Sequence, residues 1–455
     1  MPAKEPAPRP RRPRPESASL KHDVDALYKM VAQIRTQGPA ADLVERVSGP
    51  EFLRLLRRLV RRGASPTHTP PPAELAPTPA PSTHSEVTVE APPAAAPSAP
   101  QPREPSRTTT IALVYSPRHK QHYSPAFPED SPDRVEAILT QLSEAGFLGD
   151  EAASLIDAPA ATLDQLRTVH TPEYIEFVRK AAARGPRTLP RSTYLRKGSW
   201  EAARRAAGAA LKAGELIGAG YDVAFALTRP AGHHATQDTY GGFCLFNNPA
   251  LVARALAARD RVMIINWDAH ASNGTKRIFY ADPQVLTISI HRDPVGFFPN
   301  EGFVEEIGVG PGQGFSVNVP MPKGSSDDDY LAAFDVIVGP LHRQFRPKYV
   351  VVECGFDAHR QDPVGGQRLT SSGFRELGRR LARLQGENLI LTLEGGYNAN
   401  TIGRLAHTLL LALRGSGASY RGNAAQTPPP APPDTPQLLS VLDAVRGALR
   451  PHWEF

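Results

Sequence analysis

The chain has little cysteine, no long apolar run and almost no net charge beyond its first quarter. Two cysteines in 455 residues, Cys244 and Cys354, cannot build a disulfide framework, and they are not spaced as a CxxC metal pair. A reducing, cytoplasmic compartment is the expectation. No stretch approaches the roughly 18 consecutive apolar residues of a membrane span, so no membrane partner is expected. The opening MPAKEPAPRPRRPRP has basic groups with no apolar stretch behind them and does not read as a secretory signal. Glycine keeps no period of three, which excludes collagen.

What the chain has in excess is proline. It holds 47, about a tenth of its residues against about 5% in globular proteins. Thirteen fall in residues 66–105, six in 2–15 and six in 428–436. That leaves about 350 residues for compact structure, enough for one large core. Charge is equally uneven: 16 of the 52 Lys/Arg and 11 of the 46 Asp/Glu lie before residue 108. The net +6 and the pI near 9.3 therefore describe the N-terminal extension. The near-neutral remainder calls for no nucleic-acid partner, and only the extension has the charge to meet one.

Residues 1–19 read as a disordered basic tail. Residues 20–64 read as a short helical pair, with Leu20, Val24, Leu27, Val31 and Ile34 on one face and Phe52, Leu53, Leu56 and Leu59 on the second helix. Residues 65–107 form a Pro/Ala-rich linker. From residue 108 to 455 apolar runs alternate with helical stretches, with a proline-rich loop at 421–436 before an amphipathic helix at 437–449 that is expected to pack back on the domain. Candidate strands are 111–115, 222–227, 262–266, 285–290, 349–354 and 388–393. They are short continuous apolar runs, as strands buried on both faces are. Helical segments at 199–217, 249–259 and 373–385 lie between them. The predicted fold is α/β, a parallel sheet covered by helices on both faces.

Ligands of such sheets bind beyond the carboxyl ends of the strands. After 222–227 come His233 and His234; after 262–266, Asp268 and His270; after 349–354, Asp357; after 388–393, Tyr397. Singly these are weak signals, since a His-His pair is more often surface or satisfied core. Together they are stronger. If the chain stays extended, Asn266, Asp268 and His270 point one way, and Asp357 adds a further ligand. Three N/O ligands with an open position match catalytic zinc.

RPAGHHA, GGFCLFNN, NWDAHASNGT, GFDAHRQDPVGGQRLT and LEGGYN, in this order, resemble the zinc-dependent histone deacetylase family, which includes acetoin-utilisation-type proteins and acetylpolyamine amidohydrolases. The resemblance runs from about Thr110 to Gly415, with PEDSPDR (128–134) similar to a loop leading into the site. It implies an arginase/deacetylase-type fold and a hydrolase that removes acetyl groups from lysine side chains of proteins or peptides, or from small acetylated amines. By the same resemblance Asp268, His270 and Asp357 bind Zn²⁺, His234 is the general base with His233 assisting, and Tyr397 donates to the oxyanion. Phe243 and Phe298 line a substrate tunnel, and Ser289 helps hold a structural potassium ion.

The match has departures. The family usually has Asp at Asn266 and His-Gly at Ala271-Ser272. Asn266 supplies no charge to His233, so the His233 pKa is expected to lie lower than in relatives, while Asn273 remains as a neutral partner for His234. PRSTY (190–194) lacks the carboxylate that gates substrate in many relatives. Two other functions are weighed. A catalytically weak acyl-lysine binder or scaffold fits the departures. An arginase-type two-manganese ureohydrolase fits DAH, but Ser272 and His359 stand where second-metal aspartates would be needed.

Overall fold

Interior strands of a parallel sheet need apolar side chains on both faces, and that need selects the runs seen in the sequence. The computed structural model describes residues 109–386, 388–415 and 436–455, all within the compact unit Pro100–Phe455. The tail, helical pair, linker and proline-rich loop expected at 1–19, 20–64, 65–107 and 421–436 lie outside the described residues, save Pro436, which opens the last helix.

The strands are β1 (Ile111–Tyr115), β2 (Ala153–Asp157), β3 (Arg187–Leu189), β4 (Thr193–Leu195), β5 (Val223–Ala226), β6 (Val262–Asn266), β7 (Val285–Arg292), β8 (Ser316–Met321), β9 (Tyr349–Cys354) and β10 (Leu389–Leu393). Eight form one sheet in the order β2-β1-β5-β10-β9-β6-β7-β8, every pairing parallel. β3 and β4 make a separate antiparallel hairpin. All six strands expected from apolar runs are present. The two edge strands, β2 (ASLID) and β8 (SVNVPM), were not expected, because each interleaves polar with apolar residues, and Pro320 in β8 is tolerated only at an edge.

Helices that matter for the site are α1 (Asp133–Glu144), α2 (Ser199–Gly218), α3 (Asn248–Ala257), α4 (Asn273–Phe279), α5 (Ser371–Leu384), α6 (Ala399–Arg414) and α7 (Pro436–Leu449). Alternation along each strand splits the core in two. Ile111, Leu113, Phe225, Met263 and Val350 face α1, α5, α6 and α7 through Ile138, Leu377, Leu405 and Leu442. Ala112, Ala224, Ile264 and Val351 face α2 and α3 through Ala207, Ala210 and Leu251. The C-terminal helix does pack back, burying Leu438, Leu442, Val445 and Leu449. α3 starts where Asn247 Oδ1 accepts from Ala250 N at 2.9 Å and Pro249 fills a first-turn position that needs no N–H partner. Among the described residues no helix is long and apolar enough to cross a membrane.

Candidate active site

Register decides where the chemistry meets. β5, β10, β9 and β6 are consecutive in the sheet, with Ala226 opposite Thr392, Leu393 opposite Cys354 and Asn266 opposite Glu353. The four strands end at one level, so the segments carrying His233-His234, Tyr397, Asp357 and Asp268-His270 leave the sheet side by side.

The ligand atoms of Asp268, His270 and Asp357 lie within 4.8 Å of one another, all buried. His270 Nδ1 is 3.0 Å from Asp268 Oδ1 and 2.8 Å from Asp357 Oδ2. Backbone donors fix both carboxylates: His270 N to Asp268 Oδ1 at 2.8 Å, Gly395 N to Asp268 Oδ2 at 2.7 Å, and Ala269 N to Asp357 Oδ1 at 2.8 Å. The cradle demands glycine, since a Cβ at Gly355 or Gly395 would stand 2.3 or 2.5 Å from Asp268 Oδ2. Burial by itself would lower the His270 pKa, yet the hydrogen bonds to Asp268 and Asp357 push it up to about 10. Two buried carboxylates aimed at one imidazole nitrogen thus draw positive charge to this point. The residues fit a divalent cation with two oxygens and one nitrogen.

A second group, His233, Cys244 and Glu394, also converges within 4.8 Å. Two of its three members are engaged within the protein: Glu394 Oε2 accepts from Gly232 N (2.7 Å) and His233 N (3.1 Å), and Cys244 Sγ donates to Gly242 O (3.3 Å).

Beside the first group stand the tandem histidines, ring centroids 3.9 Å apart. His234 Nδ1 donates to Asn273 Oδ1 at 2.8 Å, which leaves Nε2 as the free nitrogen. Its pKa lies well below the usual value, first through burial and then through the charges of His233 and His270, so the ring is held neutral. His233 Nε2 is 4.0 Å from Asp268 Oδ2. Burial lowers the His233 pKa, with Asp268 opposing and Asn266 opposing least. Asn266 lies beside His233 as an uncharged neighbour and opposes the shift only weakly, as its lack of charge predicts.

Aromatic rings wall this point. Phe298 meets His234 edge-on at 4.8 Å, and Phe243 meets Tyr397 edge-on at 5.7 Å. A Cβ at Gly242, where φ is +50°, would lie 2.3 Å from His234 Cδ2 and 2.8 Å from Phe298 Cε1, so only glycine admits both rings. Burial raises the Tyr397 pKa well above the usual value and keeps the phenol a donor; Arg134, 4.8 Å from the ring centroid, opposes this.

The histone deacetylase domain family matches residues 128–413. A probable deacetylase of Archaeoglobus fulgidus is 35% identical over 298 residues, which cover 64% of this chain and 81% of that protein. The chain belongs to the histone deacetylase family. Histone deacetylase 5 of Arabidopsis thaliana is 34% identical over 368 residues, 76% of this chain and 54% of that protein. The crystal structure of the HDA15 HD domain aligns with a TM-score of 0.69 at 33% identity, covering 76% of this chain and 96% of that one. The chain thus spans about half the length of the Arabidopsis protein.

Within this histone deacetylase family member, the structure gives the potassium expectation no support. Ser289 Oγ accepts from Asn266 Nδ2 (2.9 Å) and Ser272 N (3.3 Å) and lies 2.8 Å from His291 Nδ1. His291, its pKa lowered to about 4 by burial, has Nε2 2.9 Å from Gly302 O and Nδ1 3.0 Å from Ser289 O. Asn266 Nδ2 also donates to His270 O at 3.1 Å, so these polar groups are satisfied within the protein. The melting temperature should therefore be the same in potassium chloride and choline chloride at equal ionic strength; a saturable rise with potassium would return the ion to the site.

Several site residues escaped the sequence. Phe297 stacks on His270 at 4.6 Å and 16°, with Arg292 4.1 Å above its other face. Within 128–134, Asp130 and Arg134 are both about 1% exposed. Asp130 accepts from Arg134 Nη1 (3.2 Å), Arg229 Nε (3.2 Å) and Tyr194 Oη (2.8 Å), and Arg134 donates on to Glu394 O and Gly396 O beside Tyr397. Sequence gave no signal for these roles, because charged residues in a loop read as solvated.

Proposed function

We propose that this protein is a zinc-dependent amidohydrolase that removes acetyl or other acyl groups from lysine side chains or small acylated amines. The observation that carries the reading is the convergence of Asp268, His270 and Asp357 within 4.8 Å beside a neutral His234 whose Nδ1 is committed to Asn273. These three side chains would hold the zinc, which when bound polarises an amide carbonyl and acidifies a water. His234 Nε2 takes the proton of the attacking water and returns it to the leaving amine, as general base and then acid. Tyr397 donates its hydroxyl to the oxygen on which negative charge develops. Phe243 and Phe298 enclose the aliphatic stem and exclude water from the reacting bond.

A second reading is a catalytically weak acyl-lysine binder, favoured by the unpaired His233 Nδ1 facing neutral Asn266. An arginase-type site has less support, since His359 does not join the ligand group and Ser272 offers no carboxylate. One experiment separates these readings. Chain stripped by chelator is expected to lose turnover of acetyl-lysine peptides and acetylated amines, and stoichiometric zinc to restore it. Asp268→Ala is expected to lose both zinc and turnover. If the zinc-loaded wild type hydrolyses no acylated amine, the binder reading stands instead.

A further inference from the structure

The hairpin β3–β4 carries a charge to the wall of the site. Its tip, Pro190-Arg191-Ser192, joins paired Leu189 and Thr193. Arg191 and Ser192 both have left-handed backbone, φ 58° and 50°, an unfavourable conformation for non-glycine residues that persists only where surroundings enforce it. The enforcing contacts are specific. Gly242 N donates to Arg191 O at 2.8 Å, Phe243 N to Ser192 O at 3.0 Å, and Thr193 Oγ1 to Arg191 O at 3.1 Å. Behind the tip, Tyr194 is buried, stacked 4.3 Å from His122 and donating to Asp130 at 2.8 Å. The strained tip is thus fastened to the two residues, Gly242 and Phe243, that pack against His234 and Tyr397.

This anchoring sets the guanidinium. A Cβ on Gly241 would lie 3.5 Å from Arg191 Nε, 3.8 Å from Arg191 Cζ and 3.7 Å from Phe298 Cζ, so the cation and the outer edge of the Phe298 ring flank one point of backbone. The same ring meets His234 and, farther off, His270. Arg191 is exposed, and among the described residues no carboxylate forms an ion pair with it. An unneutralised cation therefore stands at the outer wall of the passage to His234.

We infer that Arg191 selects substrates by charge, favouring acylated amines that carry a carboxylate at the end of the aliphatic stem away from the acylated nitrogen, such as acyl-lysine in an acidic peptide, and disfavouring polycationic amines. The inference rests on the hydrolase reading of the site. Like charge at a rim repels and unlike charge attracts, and at exposed positions the effect is modest and screened by salt.

The test uses full-length, zinc-loaded protein and three acetyl-lysine peptides differing only in flanking Glu, Gln or Lys, together with an acetylated polyamine. For the wild type, kcat/KM for the Glu peptide should exceed that for the Lys peptide by about 10-fold at low salt, and the ratio should shrink as salt is raised. Arg191→Lys should keep the preference, Arg191→Gln should bring the ratio towards one, and Arg191→Glu should invert it and admit the polyamine. A wild-type ratio near one, or a ratio that Arg191→Gln leaves intact, overturns the inference while the hydrolase reading stands. No turnover of any of the substrates removes the hydrolase reading itself, and this inference with it.

Discussion

Replacing His234 with alanine is expected to lower kcat on an acetyl-lysine peptide by about 10²–10⁴-fold, the usual worth of a positioned acid–base group, with zinc content unchanged. The expectation follows from geometry. His234 is not among the three converging ligands; its Nδ1 is occupied by Asn273 at 2.8 Å, and burial keeps the ring unprotonated. One nitrogen is left to carry a proton, on the side where Gly242 and Phe298 close over the ring. The tandem arrangement does not make His233 equivalent, because His233 lies against Asp268 and its Nδ1 has no partner. Single-turnover rates and zinc analysis on the same preparation decide the matter. A loss below 10-fold would mean that another group moves the proton.

Asp130→Ala is expected to cost about 3–5 kcal/mol of unfolding free energy, the range for breaking a buried charge pair by removing one partner. Asp130 is buried between Arg134 and Arg229. Burial alone would raise its pKa, but Arg229 and Arg134 together hold it below the usual value. Without the carboxylate, two buried guanidinium groups keep neutral hydrogen-bond partners, among them His119 O for Arg229 at 2.8 Å and Glu394 O and Gly396 O for Arg134, and Asp362 reaches Arg134 only through space. Chemical denaturation with the slope checked measures the loss. A destabilisation under about 1 kcal/mol, as for an exposed pair, would show that water reaches the network.

Much of the fold could be read from the chain because burial on both faces is a local requirement. IALVY, VMIIN and YVVVEC became β1, β6 and β9 with the expected limits. ASLID and SVNVPM escaped because an edge strand needs only one apolar face, and a short alternating stretch does not stand out from a loop. The site was legible in a similar way. Strand ends are where such sheets bind ligands, which is why the titratable residues just after the apolar runs were gathered, and Asp268, His270 and Asp357 do meet. Asn266 was legible only as an uncharged neighbour of His233. Its amide nitrogen is drawn to His270 O and Ser289 Oγ, and only packed neighbours could reveal that competition.

The scarcity of cysteine and the apolar runs set what this chain could be by itself: a parallel sheet stabilised by burial, with oxygen and nitrogen ligands following its strands. Strand order was beyond it. Whether residues 268 and 357 meet depends on β6 lying next to β9 in the register Asn266 opposite Glu353, a non-local choice made by the whole core. The same holds for other contacts between distant segments. Asp130 finds Arg229, 99 positions away, and Arg191 is set beside Phe298 through the Gly242 segment. Alternation and burial are written residue by residue, whereas the neutralisation of one charge by another is fixed only when distant segments pack together and exclude water.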